Sequence, residues 1–330
     1  MADSAKRACI RSIGVYVPPK VMTNADFAKI VDTSDEWITQ MTGIKERHFV
    51  DADTASSDLA SAAAKSALEK AGVDPMDVDM VLVATATPDM FFPSTACLTQ
   101  AKIGAKNAFA YDVSAGCSGF LYGLVVAQQF IAAGTVKTAL VIGAETLTKF
   151  TDMTDRNTCV LFGDGAGAAL VRAAAGQEGL VSYYLGSDGK LGDLLKLPAG
   201  GTRLPASHET VDARLHYIKM NGRQVYLHAV KAMSDSTLKV LERAGVKGTD
   251  LDLLFPHQAN IRIIESVAER AGIPMDKVFG NIHKYGNTSA ASIPIALWDA
   301  ENQGRLKEGM LIGMVAFGAG FTWGAALMRW

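Results

Sequence analysis

The chain has 330 residues, 49% of them hydrophobic and 20% charged, with a formal net charge of -2. This length supports a large core in one or two domains, and the composition excludes a disordered or fibrous chain. The near balance of charge leaves no overall electrostatic footprint for nucleic acid, so any basic surface is local.

The first residues, Met1-Ala-Asp-Ser-Ala-Lys-Arg7, lack the apolar segment of a secretory signal and run into a predicted strand over 8–17. Thr33-Ser-Asp-Glu-Trp-Ile38 holds an N-cap signal followed by acids, and residues 54–71 read as an amphipathic helix with an alanine-rich face. A central strand over 77–86 follows, then a loop, Pro88-Asp-Met-Phe-Phe-Pro93, that presents two aromatics. Residues 108–114 read as a buried strand turning sharply into an apolar helix over 119–133. Between them, Ser114-Ala-Gly-Cys-Ser-Gly119 places Cys117 at the positive end of that helix, a position that favours thiolate over thiol. Its small neighbours let a carbonyl approach the backbone N–H of Cys117, which could help hold an oxyanion. Taken alone, the residue fits a small buried core thiol as well. Strands over 138–143 and 162–171 continue an alternation of strand and helix that argues a layered α/β fold.

An internal repeat carries more weight than any single motif. Ala67-Leu-Glu-Lys-Ala-Gly-Val-Asp-Pro-Met-Asp-Val-Asp-Met-Val81 aligns without gaps on Val240-Leu-Glu-Arg-Ala-Gly-Val-Lys-Gly-Thr-Asp-Leu-Asp-Leu-Leu254, an offset of 240 − 67 = 173. Gly167-Ala-Ala-Leu-Val-Arg172 echoes Gly324-Ala-Ala-Leu-Met-Arg329 at an offset of 157. The expectation is two copies of one unit, an N-terminal half over 1–176 and a C-terminal half over 177–330. Residues 186–216, richer in Gly, Pro and polar side chains, read as surface loop or lid.

In the second copy a buried strand ends in Pro256 and delivers His257 and Asn260 before an amphipathic helix over 261–271. Position 257 matches Ala84 of the first copy, so a histidine stands where the first has a plain strand residue. Further on, Gly286-Asn287 precedes a helix of small residues with Thr288 and Ser289 as caps. Each stretch alone has a bland reading, a hydrogen-bonded histidine or a helix cap. Together Cys117, His257 and Asn287 suit thioester chemistry: a thiolate accepts an acyl group, and a neutral imidazole with an amide N–H stabilises an enolate. A papain-like protease lacks both this local cysteine motif and an internally duplicated chain. The uncharged run 310–328 is long enough to span a bilayer, but its glycines read as two buried strands joined by a tight turn. Four dispersed cysteines without a CxxC pair point to a reducing cytosol; Cys9 and Cys159 fall in strand-like apolar runs, and Cys97 follows Pro93-Ser-Thr. No metal site is expected.

The motifs Ala-Gly-Cys117-Ser-Gly, Pro-His257-Gln-Ala-Asn and Tyr-Gly-Asn287-Thr-Ser-Ala-Ala-Ser resemble the thiolase superfamily, specifically β-ketoacyl-acyl-carrier-protein synthase III. Asp32-Thr-Ser-Asp-Glu-Trp37, Thr42-Gly-Ile-Lys-Glu-Arg47, Phe162-Gly-Asp-Gly-Ala-Gly167 and Phe317-Gly-Ala-Gly-Phe-Thr-Trp-Gly324 extend the likeness over essentially the whole chain. It implies a duplicated five-layer α-β-α-β-α fold, a cytoplasmic homodimer and an acyltransferase of fatty-acid biosynthesis with no permanently bound cofactor. A short acyl-CoA, acetyl-CoA first, would acylate Cys117, and malonyl-acyl-carrier-protein would then condense with loss of carbon dioxide. By the same likeness His257 and Asn287 hold the malonyl thioester oxygen, and the backbone N–H groups of Cys117 and Ala319 hold the acyl oxygen. Trp37 and Arg156 correspond to the pair that sandwiches the CoA adenine, and Asn260 to a pantetheine contact. Phe92 corresponds to the aromatic closing the partner's acyl pocket, and Arg262 to the patch that docks the carrier protein. Two positions depart from the family pattern: Met41 stands where many relatives have arginine, and Ala319 where many have glycine. The alternatives are a specialised relative with other primers or plain acyl transfer, and, from another class, a non-catalytic partner subunit of the same fold.

Overall fold

The computed structural model describes residues 7–330; the expectation of a signal-free N-terminus concerns residues 1–6, which lie outside the described residues. In chain order, β1 (Ala8–Tyr16) precedes α1 (Asp35–Thr42), α2 (Ser56–Ala71), β2 (Met80–Ala84), α3 (Thr95–Ile103), β3 (Phe109–Val113), α4 (Gly119–Ala132), β4 (Thr138–Glu145) and β5 (Gly165–Ala173). The chain continues through β6 (Gly179–Ser187), α5 (Gly222–Ala244), β7 (Leu253–Pro256), α6 (Ile261–Ala271), α7 (Ser292–Asn302), β8 (Leu311–Gly318) and β9 (Thr322–Arg329).

One sheet runs in the order β1-β5-β4-β2-β3, with β2 parallel to β3 and β4, and β5 antiparallel to β4 and β1. The other runs β6-β9-β8-β7, with β7 parallel to β8 and the remaining pairs antiparallel. The second order repeats the first, short of its last strand. That strand survives as a single parallel bridge, Leu254 with Val278, matching the pairing of Val81 with Ala110. Burial is organised in layers. Leu59, Ala63 and Ala64 of α2 cover Val81, Val83 and Ile142 on the outer face of the first sheet. Phe120, Leu121 and Leu124 of α4 and Ile293 and Leu297 of α7 fill the space between the sheets. Met233 of α5 and Val267 of α6 close the outer face of the second sheet over Leu254 and Val315. The result is the five-layer α-β-α-β-α fold that the resemblance implies.

The offset of 173 extends well past the visible repeat. It relates α2 to the end of α5 (Ala71, Ala244), the short turns Pro75–Asp77 and Gly248–Asp250, and the start of β2 to that of β7. It also relates the turns Gly116–Ser118 and Ser289–Ala291, the starts of α4 and α7, and the whole of β4 to the whole of β8. Gly72 and Gly245 end their helices with φ of +62° and +68°, where a Cβ would be strained. The matched aspartates have matched work. Asp79 Oδ2 accepts from the N–H groups of Lys137 and Thr138, and Asp252 Oδ2 accepts from Leu311 N–H, each pinning the start of the adjacent strand. The offset falls to 157 in the last strand because 16 more residues join β4 to β5 than join β8 to β9.

The structure differs from the sequence reading at four places. β3 is half-exposed, with Phe109 at 45%, because it is the edge strand of its sheet and lacks a neighbour on one side. β2 begins at Met80 because Pro75 opens a short helical turn that occupies residues 75–77. Cys159 is buried in a run of turns, since the backbone N–H of Cys159 bonds back to Asp155 O. The region 186–216 is more ordered than a loop, with β6 reaching Ser187, a short helix His208–Asp212, and Leu195–Lys196 pairing with Lys219–Met220. The apolar run 310–328 forms β8, a turn and β9, and among the described residues no helix is long and apolar enough to cross a membrane.

Asp79→Ala and Asp252→Ala should each lower stability by about 1 kcal/mol through loss of these strand-pinning bonds. Urea denaturation checks this, and a cost confined to one of the two would argue against equivalent roles.

Candidate active site

The site forms where the C-terminal ends of β2, β4, β7 and β8 meet. Cys117 lies in the turn Gly116–Ser118, one step before α4. Gly116 has φ of +50°, and a Cβ on it would stand 2.8 Å from Ala319 N. A Cβ on Gly318 would stand 2.3 Å from Cys117 N. The cysteine turn therefore touches the β8–β9 turn backbone to backbone. Thr322 Oγ1 donates to Ala115 O at 2.6 Å, and Ser118 Oγ donates to Thr322 O at 3.1 Å, closing the junction.

His257 follows β7 and is 4% exposed; its N–H donates to Val315 O at 2.8 Å, and its Nδ1 lies 2.7 Å from Ser292 Oγ, at the start of α7. Burial pushes the imidazole down to about 3, so it is neutral at physiological pH. Asn287 is fixed at both ends of its backbone, donating to Leu161 O at 2.9 Å and accepting from Gly163 N–H at 3.0 Å. Its Oδ1 accepts from Ser289 N–H at 2.8 Å, which leaves its NH2 group to meet a ligand. The side chains of Thr288 and Ser289 make no cap, contrary to expectation, because Asn287 already takes the Ser289 N–H and Ser289 sits at φ +48°.

The thiol differs from expectation in charge. Cys117 is partly exposed at the floor of a cavity, yet desolvation by the surrounding protein pushes it up to about 12, against the helix end that favours thiolate. It rests protonated.

Cys117, His257 and Asn287 line one cavity of about 620 Å³. Trp37, Asn260 and Arg262 line it too, with Met41 in the wall and Gly318 beside the cysteine. Asn260 caps α6 through Arg262 N–H and donates to Met41 O at 2.9 Å, so the residue that departs from the family pattern holds its neighbour by its backbone. The Arg156 guanidinium lies 4.9 Å from the centre of the Trp37 ring and 3.5 Å from Asp32. A planar group sandwiched between them needs about 7 Å, two stacking contacts of about 3.5 Å, so Arg156 must swing away to admit one. Ala319 belongs to the turn against Gly116, whereas Phe92 is 85% exposed and outside this cavity. Arg223, Tyr226 and Met220 also line the cavity and were not singled out from sequence, and Phe317, the first residue of the motif 317–324, joins them. Cys9 and Cys159 are buried and Cys97 exposed, all free. Among the described residues no group of three His, Cys, Asp or Glu side chains is placed to hold a metal.

With this geometry in place, comparison with known proteins is specific. Residues 111–189 match the family model for 3-oxoacyl-[acyl-carrier-protein] synthase III, and residues 241–330 match that for its C-terminal part. The chain is 56% identical over 323 residues to beta-ketoacyl-[acyl-carrier-protein] synthase III of Caldanaerobacter subterraneus subsp. tengcongensis, covering 98% of each. It belongs to the synthase III family. Two crystal structures of such synthases agree: that from Aquifex aeolicus VF5 is 48% identical with a TM-score of 0.91, covering 98% of this chain and 100% of that one. That from Thermus thermophilus is 46% identical with a TM-score of 0.91, covering 98% and 99%. The chain is thus a condensing acyltransferase that initiates fatty-acid synthesis, and the specialised and non-catalytic alternatives are not favoured.

Two outcomes test the site. Gly318→Ala should abolish condensation and also lower the melting temperature, since its Cβ would stand 2.3 Å from Cys117 N and force the two turns apart; wild-type turnover with an unchanged melting temperature would show that the contact is dispensable. For His257, the unfolded imidazole takes a proton near 6.5 and the folded one resists until about 3, so stability falls as pH drops below 6.5. His257→Gln should flatten the stability profile between pH 4 and 6.5, measured by urea denaturation at each pH.

Proposed function

We propose that Cys117, His257 and Asn287 carry the two half-reactions of this synthase, Cys117 taking the primer and the other two activating malonyl-acyl-carrier-protein. The observation that carries this reading is their convergence on one cavity with Trp37, Asn260 and Arg262. In the first half-reaction Cys117 attacks the thioester carbonyl of a short acyl-CoA, acetyl-CoA first, and CoA leaves as its thiol, so that the proton lost from Cys117 is balanced by the one gained on the CoA sulfur. The oxyanion forms against the backbone N–H groups of Cys117 and Ala319, whose turns are in contact. In the second, the malonyl thioester oxygen sits between His257 and the NH2 of Asn287. When Ser292 donates its hydroxyl proton to Nδ1, the neutral ring keeps its proton on Nε2 and can donate to that oxygen. Carbon dioxide departs, the enolate attacks the acyl carbon on Cys117, and a β-ketoacyl-carrier-protein forms. No cofactor is required by this chemistry.

Trp37 and Arg156 would receive the CoA adenine, Arg156 turning outward, and Asn260 the pantetheine. Arg262 is exposed at the cavity mouth together with Arg223, which supports an acidic carrier protein as partner. The unpaired β3 edge and the exposed Met90, Phe91 and Phe92 support a homodimer in which Phe92 closes the partner's acyl pocket. The halves divide at 176/177, in the connection between β5 and β6. Free cysteines suit a cytoplasmic setting.

Proteolysis after incubation with acetyl-CoA should place an acetyl group on the peptide containing Cys117, read by mass spectrometry. His257→Ala should retain that acetylation but slow malonyl-carrier-protein decarboxylation by about 10²- to 10³-fold. Arg262→Glu should raise the KM for the carrier protein far more than that for acetyl-CoA.

A further inference from the structure

Arg47, in the short strand Glu46–Phe49, is fully buried and has no part in the chemistry so far. It does not line the cavity, and among the described residues no carboxylate forms an ion pair with it. Burial lowers its proton affinity only to about 10, so it stays a cation at neutral pH. A buried cation without an anion beside it is costly, and an apolar side chain of similar volume would serve packing better. Its hydrogen bonds show what it holds instead. Nη1 donates to Asn24 Oδ1 at 2.7 Å and to Met22 O at 3.4 Å, Nη2 donates to Val160 O, and the guanidinium lies 4.5 Å from the centre of the Phe27 ring. Asn24 is fixed in turn, its Nδ2 donating to Ile44 O and to Asp35 Oδ1, each at 2.8 Å. One arm of the rigid fork is therefore anchored, and the other grips the segment 160–163.

That segment carries Asn287. Leu161 O accepts from the Asn287 N–H, Gly163 N–H donates to Asn287 O, and Phe162 between them pairs with Asn287 as a parallel bridge. The Arg47 stem packs against both sides of the bridge, since a Cβ on Gly163 and one on Gly286 would each stand 3.1 Å from Arg47 Cβ. The first would also stand 2.4 Å from Tyr285 O, and the second 3.0 Å from Leu161 O. The two backbones thus have no slack against each other or against Arg47, and a shift at Val160 is passed to Asn287. Cys117 is held by other contacts, its turn against Gly318 and the bonds of Thr322 and Ser118, none of which involves Arg47.

Resting on Asn287 as a group that activates the malonyl thioester, we propose that Arg47 is a positioning residue for that half-reaction alone, setting the place of Asn287 through the segment 160–163. It touches no substrate. Its fork fixes Val160 O relative to Asn24, the bridge at Phe162 transmits that position, and the Asn287 NH2 is thereby aimed into the cavity. Lysine in its place keeps the charge but not the two-armed grip, and methionine keeps the stem but neither.

The test measures the two half-reactions separately in Arg47→Lys and Arg47→Met: single-turnover acetylation of Cys117 at saturating acetyl-CoA, read by intact mass, and carbon dioxide release from malonyl-acyl-carrier-protein. Decarboxylation should slow by about 10-fold in the lysine variant and about 100-fold in the methionine variant, the scale of a displacement near 1 Å, while acetylation stays within about twofold of wild type. A merely structural role would slow both alike, and that result, or unchanged decarboxylation, overturns the proposal. Arg47→Lys decides alone should Arg47→Met not fold. A second readout is the same lysine change in an Asn287→Ala background, where it should slow decarboxylation no further, because the group it positions is gone. A further loss of about 10-fold there would mean that Arg47 acts by another route. Wild-type decarboxylation by Asn287→Ala itself would instead sink the role of Asn287, a different failure.

Discussion

Everything in the site depends on a contact that contains no side chain. The turn that carries Cys117 and the turn after β8 meet backbone to backbone, with room for no Cβ on either Gly116 or Gly318. An oxyanion held by two main-chain N–H groups needs this approach, because the donors must point at one small volume from two different sheets. Hydrogen bonds from Thr322 and Ser118 tie the turns together. Strands on both sides hold the two turns in place, so the oxyanion pair proposed there would need no reorganisation when charge develops.

The site is also an electrostatic compromise. Three ionisable groups, Cys117, His257 and Glu145, sit in a poorly solvated junction, and burial acts on each in favour of its neutral form. For the role proposed for His257 this is an advantage, because a neutral imidazole can donate one hydrogen bond to an enolate without protonating it. For Cys117 it is an obstacle, since the helix end alone does not offset desolvation. The chemistry then turns on where the thiol proton can go.

Much of this was legible in the chain because the signals were local or repeated. Cys117, His257 and Asn287 stand in short motifs at element ends, and the offset of 173 implies two copies of one helix-and-strand unit. The half-exposed β3 was not legible, since an apolar strand reads the same at an edge as in the middle of a sheet. The protonation of Cys117 was missed because a helix dipole can be inferred from sequence, whereas burial depends on what the second sheet packs against it. Ser289 reads as a cap because serine before a helix usually is one; its positive φ, which the sequence does not disclose, turns it out of capping geometry.

The duplication explains how such a site could be assembled from a symmetric frame. With the two copies aligned, Cys117 falls on Ala290, Ala84 on His257, Gly119 on Ser292 and Glu145 on Gly318. Each pair places a reactive or polar group in one copy opposite a small residue in the other. Two of these positions are neighbours within each copy: in the first a Cβ on Gly119 would lie 2.8 Å from Ala84 Cβ, and in the second the equivalent residues, Ser292 and His257, are joined by a 2.7 Å hydrogen bond. Cys117 comes from the first copy and His257 and Asn287 from the second, and they line one cavity, so neither half holds the whole set. A substitution that restored symmetry at any pair, in either direction, would therefore remove a group or fill the space it needs.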